Sequence, residues 1–280
     1  MPVSMTPLDW LVSGPLWWLA GSAMAILLWD AFRPAGRVPG WVGLAGLGGC
    51  AGSLLRILAA SRGGDLTVFS GLLRITPSGA VLGLLCVASA LAAGLLAWNR
   101  LVDYERGRHG TAFWVLILVS VTGMLLTIWA DQLLMLFLGI ETLSLPLYVL
   151  AALRRGEAES VEAGLKYFLL GAFASGFLAF GIASLYAATG DLTPVAMAAA
   201  LGAGGQAVIG VGMILVGLMF KAAVVPFHLW VADVYLGSPT PVTVLMATGT
   251  KAAAFAALLR WMPDPALLPA WGWAALGIRV

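Results

Sequence analysis

Apolar runs of about 20 residues recur along almost the whole chain, separated by short polar breaks. An α-helix of about that length spans the hydrocarbon core of a bilayer. Of the 280 residues, 61% are hydrophobic and only 10% are charged, whereas a soluble domain carries about 25% charged residues. We therefore predict an all-α polytopic membrane protein with about eight transmembrane helices. These predicted helices cover about 11–32, 41–60, 79–98, 112–130, 132–153, 163–188, 208–230 and 240–262.

The predicted helix ends carry turn-forming residues and tryptophans. The breaks include RPAGRVPG at 33–40, SRGGD at 61–65, TGDLTP at 189–194 and GSPTP at 237–241. Tryptophan near a helix end is typical of a side chain that anchors the helix at a membrane surface. The tryptophans interpreted in this way are Trp10, Trp29, Trp41, Trp98, Trp129, Trp230 and Trp261.

The arginines indicate an orientation, because short loops on the inner side of a membrane carry an excess of basic residues. If the N-terminus lies outside, seven arginines fall on the inner side, namely Arg33, Arg37, Arg100, Arg106, Arg108, Arg154 and Arg155. Four fall on the outer side, namely Arg56, Arg62, Arg74 and Arg260. The chain is therefore predicted to place its N-terminus outside.

Charge and cysteine content argue against several functional classes. The net charge is +2, and no block of basic residues suggests a nucleic-acid partner. Cys50 and Cys86 both lie in apolar runs without a CxxC motif or a nearby histidine. We interpret them as small core residues rather than as metal ligands or a disulfide. The sequence contains no recognisable ligand set for haem, flavin, an iron–sulfur cluster or another metal.

The three lysines of the chain, Lys166, Lys221 and Lys251, all fall inside predicted helices. The other basic residues are arginines, which lie in breaks or near helix ends, where their long side chains can reach the membrane surface. Arginine stays protonated in proteins, whereas lysine can gain and lose a proton when its surroundings change. Lysines within the membrane therefore favour a role in proton or ion transfer.

Three charged residues are predicted to lie near the middle of the membrane. With a rise of 1.5 Å per residue, Glu141 lies about 14 Å into its helix, Lys221 about 20 Å and Lys251 about 17 Å. Such charges are costly, and a Glu141–Lys221 pair would reduce that cost. We therefore predict a proton or ion relay. The alternative is a structural ion pair, although buried pairs rarely stabilise a fold more than apolar residues do.

For Lys166 and His228, a role in proton transfer and a purely structural role are equally favoured. Lys166 lies only a few residues into its helix, and Glu162 precedes it by four, a spacing that suits a surface ion pair as well as a relay. His228 would share a helix face with Lys221 if that helix continued, and an imidazole titrates near neutral pH. A histidine that only forms a hydrogen bond at the membrane surface is the alternative.

Two prolines, Pro146 and Pro226, each lie five residues after one of the mid-membrane charges. Proline cannot donate a hydrogen bond to the carbonyl four residues earlier, so we expect free carbonyls at Thr142 and Ala222. In a membrane such carbonyls require protein partners or a hydrated cavity. Broken helices with charges at the break are typical of transporters, while a simple packing kink is the alternative.

Three segments then reveal a resemblance to a known family. They are FLGIETLSLPLYVLAALRRG, EAGLKYFLLGAFASG and GLMFKAAVVPFHLWVADVYLGSPTPVTVLMATGTKAAAFAALLRW. They resemble subunit N of respiratory NADH–quinone oxidoreductase (complex I), one of the antiporter-like, proton-translocating membrane subunits. The DVYLGSPTPVT and TGTKAAAFA segments favour subunit N within the wider superfamily. The match is strong over about 112–262, whereas only hydropathy corresponds over the first hundred residues.

The resemblance implies roles for individual residues. Glu141 would tune the neighbouring lysine, Lys221 would be the central lysine of a broken helix, and Lys251 would pass the proton onward. Lys166 would match a family lysine near the connection between helices five and six.

The resemblance also implies an architecture of about fourteen helices with two inverted five-helix repeats. Residues 1–111 would hold three N-terminal helices, 112–262 would form the first repeat with its proline-broken helix, and 263–280 would be a truncated tail. The second repeat and its proton-exit residue would then be missing.

Partners and cofactors are likewise implied by the resemblance. This chain would bind no cofactor, while NADH, flavin, iron–sulfur clusters and quinone would belong to partner subunits of the enzyme complex. The partners would be other membrane-arm subunits in a bacterial inner membrane, with lipid around them.

Two alternatives to this function stay open. One is a subunit of a related cation/proton antiporter or membrane-bound hydrogenase. The other is a truncated, non-pumping structural or assembly subunit.

Overall fold

The computed structural model describes residues 6–33, 37–61, 63–98, 108–203 and 205–262. Within these ranges the chain forms eleven α-helices and one short β-hairpin. The helices are α1 Pro7–Phe32, α2 Val38–Ser61, α3 Pro77–Ala97, α4 Arg108–Trp129, α5 Leu133–Ala151, α6 Ala158–Thr189, α7 Pro194–Ala203, α8 Gln206–Ala222, α9 Trp230–Gly237, α10 Thr240–Ala247 and α11 Gly249–Trp261. The hairpin strands are β1 Leu66–Val68 and β2 Leu73–Ile75.

Seven helical segments of the described chain are long and apolar enough to cross a membrane. They are α1 to α6 and the continuous segment Thr240–Trp261, which contains α10 and α11. This confirms the polytopic helical membrane fold. The predicted helix over 208–230 is wrong in its extent, because α8 ends at Ala222 after 17 residues and α9 begins at Trp230.

The expectation of a purely helical chain missed the antiparallel hairpin between α2 and α3. Leu66 pairs with Ile75 and Val68 with Leu73, so each strand has three residues, which is too short for a hydropathy pattern to reveal. The carboxylate of Asp9 in α1 accepts a hydrogen bond from the Phe69 N–H at 2.9 Å. The hairpin is therefore fixed to the first helix.

Other boundaries differ modestly from the prediction. Helix α6 begins at Ala158, before the predicted start at 163, and its last residue is Thr189. Gly190, with a positive φ of 70°, follows it and closes the helix in the predicted TGDLTP turn. Helix α7, in the connection that follows, was not predicted. The GSPTP break is confirmed, because α9 ends at Gly237 and α10 begins at Thr240.

Five of the seven tryptophans predicted as anchors are either largely exposed or fully buried. Trp10 and Trp41 are 56% and 64% exposed, which agrees with anchoring at a membrane surface. Trp129, Trp230 and Trp261 are at most 3% exposed, so the anchor interpretation is wrong for them. Their indole rings lie where neighbouring helices pack, and proximity to a helix end did not reveal this.

Both cysteines are buried and unbridged, as predicted for core residues. The thiol of Cys86 lies 3.4 Å from the carbonyl oxygen of Gly249, to which it donates a hydrogen bond. It therefore contributes to the contact between α3 and α11.

The packing order of the helices brings the predicted charges together. Helix α5 packs between α4 and α6, α6 packs against α8, and α8 packs against α11. Helices α4 and α5 approach each other closely at Gly123, where a Cβ atom would lie 2.6 Å from the carbonyl carbon of Thr142. This contact fixes the backbone next to Glu141.

We expect Gly123→Ala to destabilise the protein by about 1–3 kcal/mol, because the added methyl group forces α4 and α5 apart. The melting temperature of the detergent-solubilised protein measures this loss. Gly48→Ala in α2 is the matched control, because nothing lies within 4 Å of its added Cβ. Equal melting temperatures for the two variants would contradict the close packing.

Candidate functional site

Helix α8 ends inside the apolar part of the fold, and the residue that follows it has a left-handed backbone conformation. Ala223 has a φ of 58°, a conformation that usually belongs to glycine. Its N–H donates to the Phe220 carbonyl at 3.0 Å, and the Val224 N–H donates to the Met219 carbonyl at 3.0 Å. These two bonds form a Schellman motif, which satisfies two of the last carbonyls of the helix.

Lys221 lies in the last turn of this helix and is 5% exposed. Its ammonium group donates hydrogen bonds to the Ser144 hydroxyl at 2.6 Å and to the Tyr167 hydroxyl at 3.3 Å. The same nitrogen lies 5.7 Å from the ring centre of Tyr148 and 5.3 Å from that of Tyr167. Aromatic faces and a helix C-terminus both attract a cation, so they offset part of the cost of its burial.

Lys251, near the start of α11, reaches the same helix end from the other side. Its ammonium group lies 3.4 Å from the Lys221 carbonyl oxygen and 4.7 Å from the ring centre of Trp230. The indole N–H of Trp230 donates to the Phe220 carbonyl at 3.2 Å. Trp230 of α9 is thus a second donor to the Phe220 carbonyl, and Lys251 of α11 donates to the Lys221 carbonyl, so both side chains bond to the last turn of the helix.

Trp230 forms an aromatic stack between the two lysines. Its ring lies 4.7 Å from that of Tyr167 and 5.5 Å from that of Phe220, with interplanar angles of 12° and 28°. The stack covers the end of α8 and separates the Lys251 ammonium group from the Tyr167 hydroxyl.

Glu141 lies in the middle of α5, where its carboxylate accepts a hydrogen bond from the Ser175 hydroxyl of α6. The expected Glu141–Lys221 ion pair is not present among the described residues. Ser144, one turn after Glu141, bonds to Lys221 instead. Hydroxyl groups therefore lie next to both charges.

This arrangement assembles groups that can exchange protons rather than ligands for a metal. A carboxylate, two ammonium groups and several hydroxyls lie along the contact of α5, α6, α8 and α11. No group of three or more histidine, cysteine, aspartate or glutamate side chains within the described ranges could hold a metal ion. That the whole protein binds no cofactor stays a prediction.

Residues 130–275, more than half of the chain, match a protein family described as "NADH:quinone oxidoreductase/Mrp antiporter, TM". The chain belongs to this family. The match begins before α5 and continues past α11, so it includes every helix that contributes to the site.

Named relatives and solved structures also resemble this chain. NADH-quinone oxidoreductase subunit N 1 of Symbiobacterium thermophilum is 40% identical over 270 residues, which cover 93% of this chain and 53% of the relative. A chain of respiratory complex I from Thermus thermophilus, solved with bound aureothin, has a TM-score of 0.73 and 39% identity, covering 91% of this chain and 54% of that one.

A chain of the Mrp complex from Dietzia sp. has a TM-score of 0.76 at 22% identity, covering 90% of this chain and 48% of that one. This likeness shows a common fold. In all three comparisons the present chain spans about half the length of the protein it matches.

Lys166 lies apart from Lys221 and Lys251. It forms the predicted ion pair with Glu162, at 2.8 Å, and a second ion pair with Asp233 of α9, at 2.7 Å. The Lys166 side chain is 43% exposed in this chain. The adjacent residue Tyr167, rather than Lys166, contacts Lys221.

His228 lies exposed in the turn between α8 and α9. The expectation that it shares a helix face with Lys221 is wrong, because the helix ends six residues before it, at Ala222. Its role as a proton carrier stays a prediction.

The two prolines interrupt the backbone in different ways. Pro146 lies within α5, which continues to Ala151. Pro226 lies beyond α8 in the turn, so the helix breaks earlier than the proline alone indicated. The Ser120 hydroxyl of α4 donates to the Leu143 carbonyl at 3.2 Å, so a protein side chain forms a hydrogen bond with the backbone near Pro146.

The structure adds residues that the sequence did not reveal as part of the site. Ser144 could have been found from its spacing of three after Glu141, which places both on one helix face. The packing of α5 against α6 brings three more residues to the site, namely Tyr148, Tyr167 and Ser175. No pattern in the sequence predicts this packing. Trp230 was assigned to the membrane surface.

The left-handed end of α8 gives a testable prediction. Ala223→Gly should preserve or slightly raise stability, whereas Ala223→Val should lower it by about 1–2 kcal/mol, because a β-branched side chain opposes positive φ. Thermal melting of the two variants against the wild type measures the difference. If both variants melted alike, the helix would end elsewhere.

Proposed function

We propose that this chain is a proton-translocating subunit N of a bacterial NADH–quinone oxidoreductase, in which protons move through Glu141, Lys221 and Lys251. The observation that carries the proposal is the buried Lys221 ammonium group in the last turn of an interrupted helix, together with the hydrogen bond that the Lys221 carbonyl accepts from Lys251. Family membership and the likeness to subunit N proteins support it.

The placement of both lysines at one helix end supports transfer rather than static binding. A helix C-terminus has the equivalent of about half a negative charge, which cannot neutralise two ammonium groups. Like charges in a poorly hydrated site repel each other. The state in which only one of the two lysines is protonated is therefore favoured over the state in which both are. A proton that arrives at one lysine therefore promotes loss of a proton from the other.

The contacts of Glu141 and Lys221 argue against a structural ion pair. Each side chain bonds to a serine hydroxyl instead of to the other. A carboxylate near the lysine stabilises its charged form without holding it in a fixed contact. The lysine can then release its proton when the charge around it changes.

We place the redox chemistry in partner subunits. NADH, flavin, iron–sulfur clusters and quinone would bind there, and other membrane-arm subunits would contact this chain within the bacterial inner membrane. The N-terminus would lie outside. Conformational or electrostatic changes in the partners would drive the proton relay.

The Lys221→Arg variant tests whether Lys221 transfers protons or only provides a structural positive charge. Arginine keeps the positive charge but stays protonated, so proton uptake per NADH oxidised should fall roughly tenfold. The measurement uses membrane vesicles that contain the assembled complex, with assembly checked on a native gel.

Arg56→Gln is the control, because it removes an exposed cation from α2, away from the site. Normal proton uptake in assembled Lys221→Arg complexes would rule out proton release by Lys221. Loss of assembly in Lys221→Gln with normal uptake in Lys221→Arg would support a structural cation.

A further inference from the structure

A small cavity lies between α5, α6 and α8, beside the buried lysine. Its volume is about 10 Å³, and its polar lining consists of Ser144, Tyr148, Ser175 and Lys221. A cavity of about this volume with several polar partners suits a single water molecule. The cavity therefore connects the serine that bonds to Glu141 with the ammonium group of Lys221.

The two serines have complementary hydrogen-bond capacity. A hydroxyl donates one hydrogen bond and accepts up to two. Ser175 uses its proton on the Glu141 carboxylate, so its lone pairs stay available to a donor in the cavity. Ser144 uses its proton on the Ile140 carbonyl and accepts a hydrogen bond from Lys221.

We propose that the cavity binds one water molecule and that Ser175 connects this water to Glu141, so that protons move between Glu141 and Lys221 through the Ser175 hydroxyl. The inference rests on the proposed function and adds a positioning residue and a water site to it. Ser175 lines the cavity and also holds the Glu141 carboxylate by a hydrogen bond.

The proton balance requires no other reactant. The Lys221 ammonium group gives a proton to the water, and the water gives one to the Ser175 oxygen. Ser175 in turn gives its own proton to the Glu141 carboxylate. The lysine and the glutamate end neutral, while the water and the serine are chemically unchanged. The reverse sequence restores both charges.

The chain itself offers a matched control on the same helix. Ser184 lies in α6, nine residues after Ser175, and is 5% exposed. It does not line the cavity. Ser184→Ala therefore removes a buried hydroxyl from the same helix without touching the connection between Glu141 and Lys221.

The test measures proton uptake per NADH oxidised in vesicles that contain the assembled complex. Ser175→Ala should lower proton uptake roughly tenfold, because it removes a positioned proton-transferring group. Ser175→Thr keeps the hydroxyl and should restore most of the uptake, while Ser184→Ala should match the wild type. Wild-type uptake by assembled Ser175→Ala complexes would overturn the inference.

A second variant keeps the test decisive if Ser175→Ala does not assemble. Ser175→Cys preserves the size of the side chain but replaces the hydroxyl by a weaker donor. We expect uptake between that of the wild type and one tenth of it. Uptake equal to that of the wild type would again overturn the inference.

Infrared difference spectra add a readout that a purely structural role would not change. Protonated Glu141 gives a carbonyl band that is absent in Glu141→Gln. This band should shift to higher frequency in Ser175→Cys, because sulfur is a weaker hydrogen-bond acceptor than the hydroxyl oxygen for the proton of the Glu141 carboxyl group. An unshifted band would exclude Ser175 as the partner that positions Glu141.

The outcomes separate this inference from the proposed function. Normal uptake in Lys221→Arg contradicts the relay as a whole. A defect in Lys221→Arg together with normal uptake in both Ser175→Ala and Ser175→Cys contradicts only the serine–water connection.

Discussion

A helix that ends inside a membrane leaves backbone carbonyls that lipid cannot satisfy. In this protein α8 ends at Ala222, and the turn that follows it, α9 and α11 all donate hydrogen bonds to its last carbonyls. The Schellman bonds use the N–H groups of the turn, Trp230 of α9 bonds to one carbonyl, and Lys251 of α11 bonds to another. The positions of α9 and α11 are therefore tied to this helix end.

The same helix end organises the electrostatics of the site. Its negative pole attracts the ammonium groups of Lys221 and Lys251, and aromatic rings face both of them. These contacts stabilise one buried cation, Lys221, and one half-buried cation, Lys251, without a direct carboxylate partner. Glu141 remains one helical turn from Ser144, close enough to influence the lysine yet bonded to a different helix.

The sequence was sufficient to predict the helical membrane fold and most of the helix limits, because apolar periodicity and turn residues act locally. It also placed Lys221 and Lys251 within apolar runs, far from either membrane surface, and in the structure Lys221 is buried while Lys251 is half-buried. It could not place the end of α8, since no glycine marks the left-handed residue and Pro226 indicates a break four residues late.

Sequence spacing could not predict which side chains bond to the charged residues. Glu141 and Lys221 were expected to meet because opposite charges reduce each other's cost. The structure instead inserts hydroxyls from α5 and α6, and such contacts between helices depend on packing. Trp230 shows the same limit, because a tryptophan near a helix end is equally compatible with a membrane surface and with a buried stack.

The bond from Lys251 to a backbone carbonyl has an evolutionary consequence. No amino-acid replacement at position 221 can delete that acceptor, because every residue has the same carbonyl. The contact is instead encoded by the length of α8. Inserting one residue into the helix before Lys221 would rotate the Lys221 carbonyl by about 100° about the helix axis and direct it away from α11. Insertions and deletions, rather than substitutions, are thus the changes to which this contact is most vulnerable.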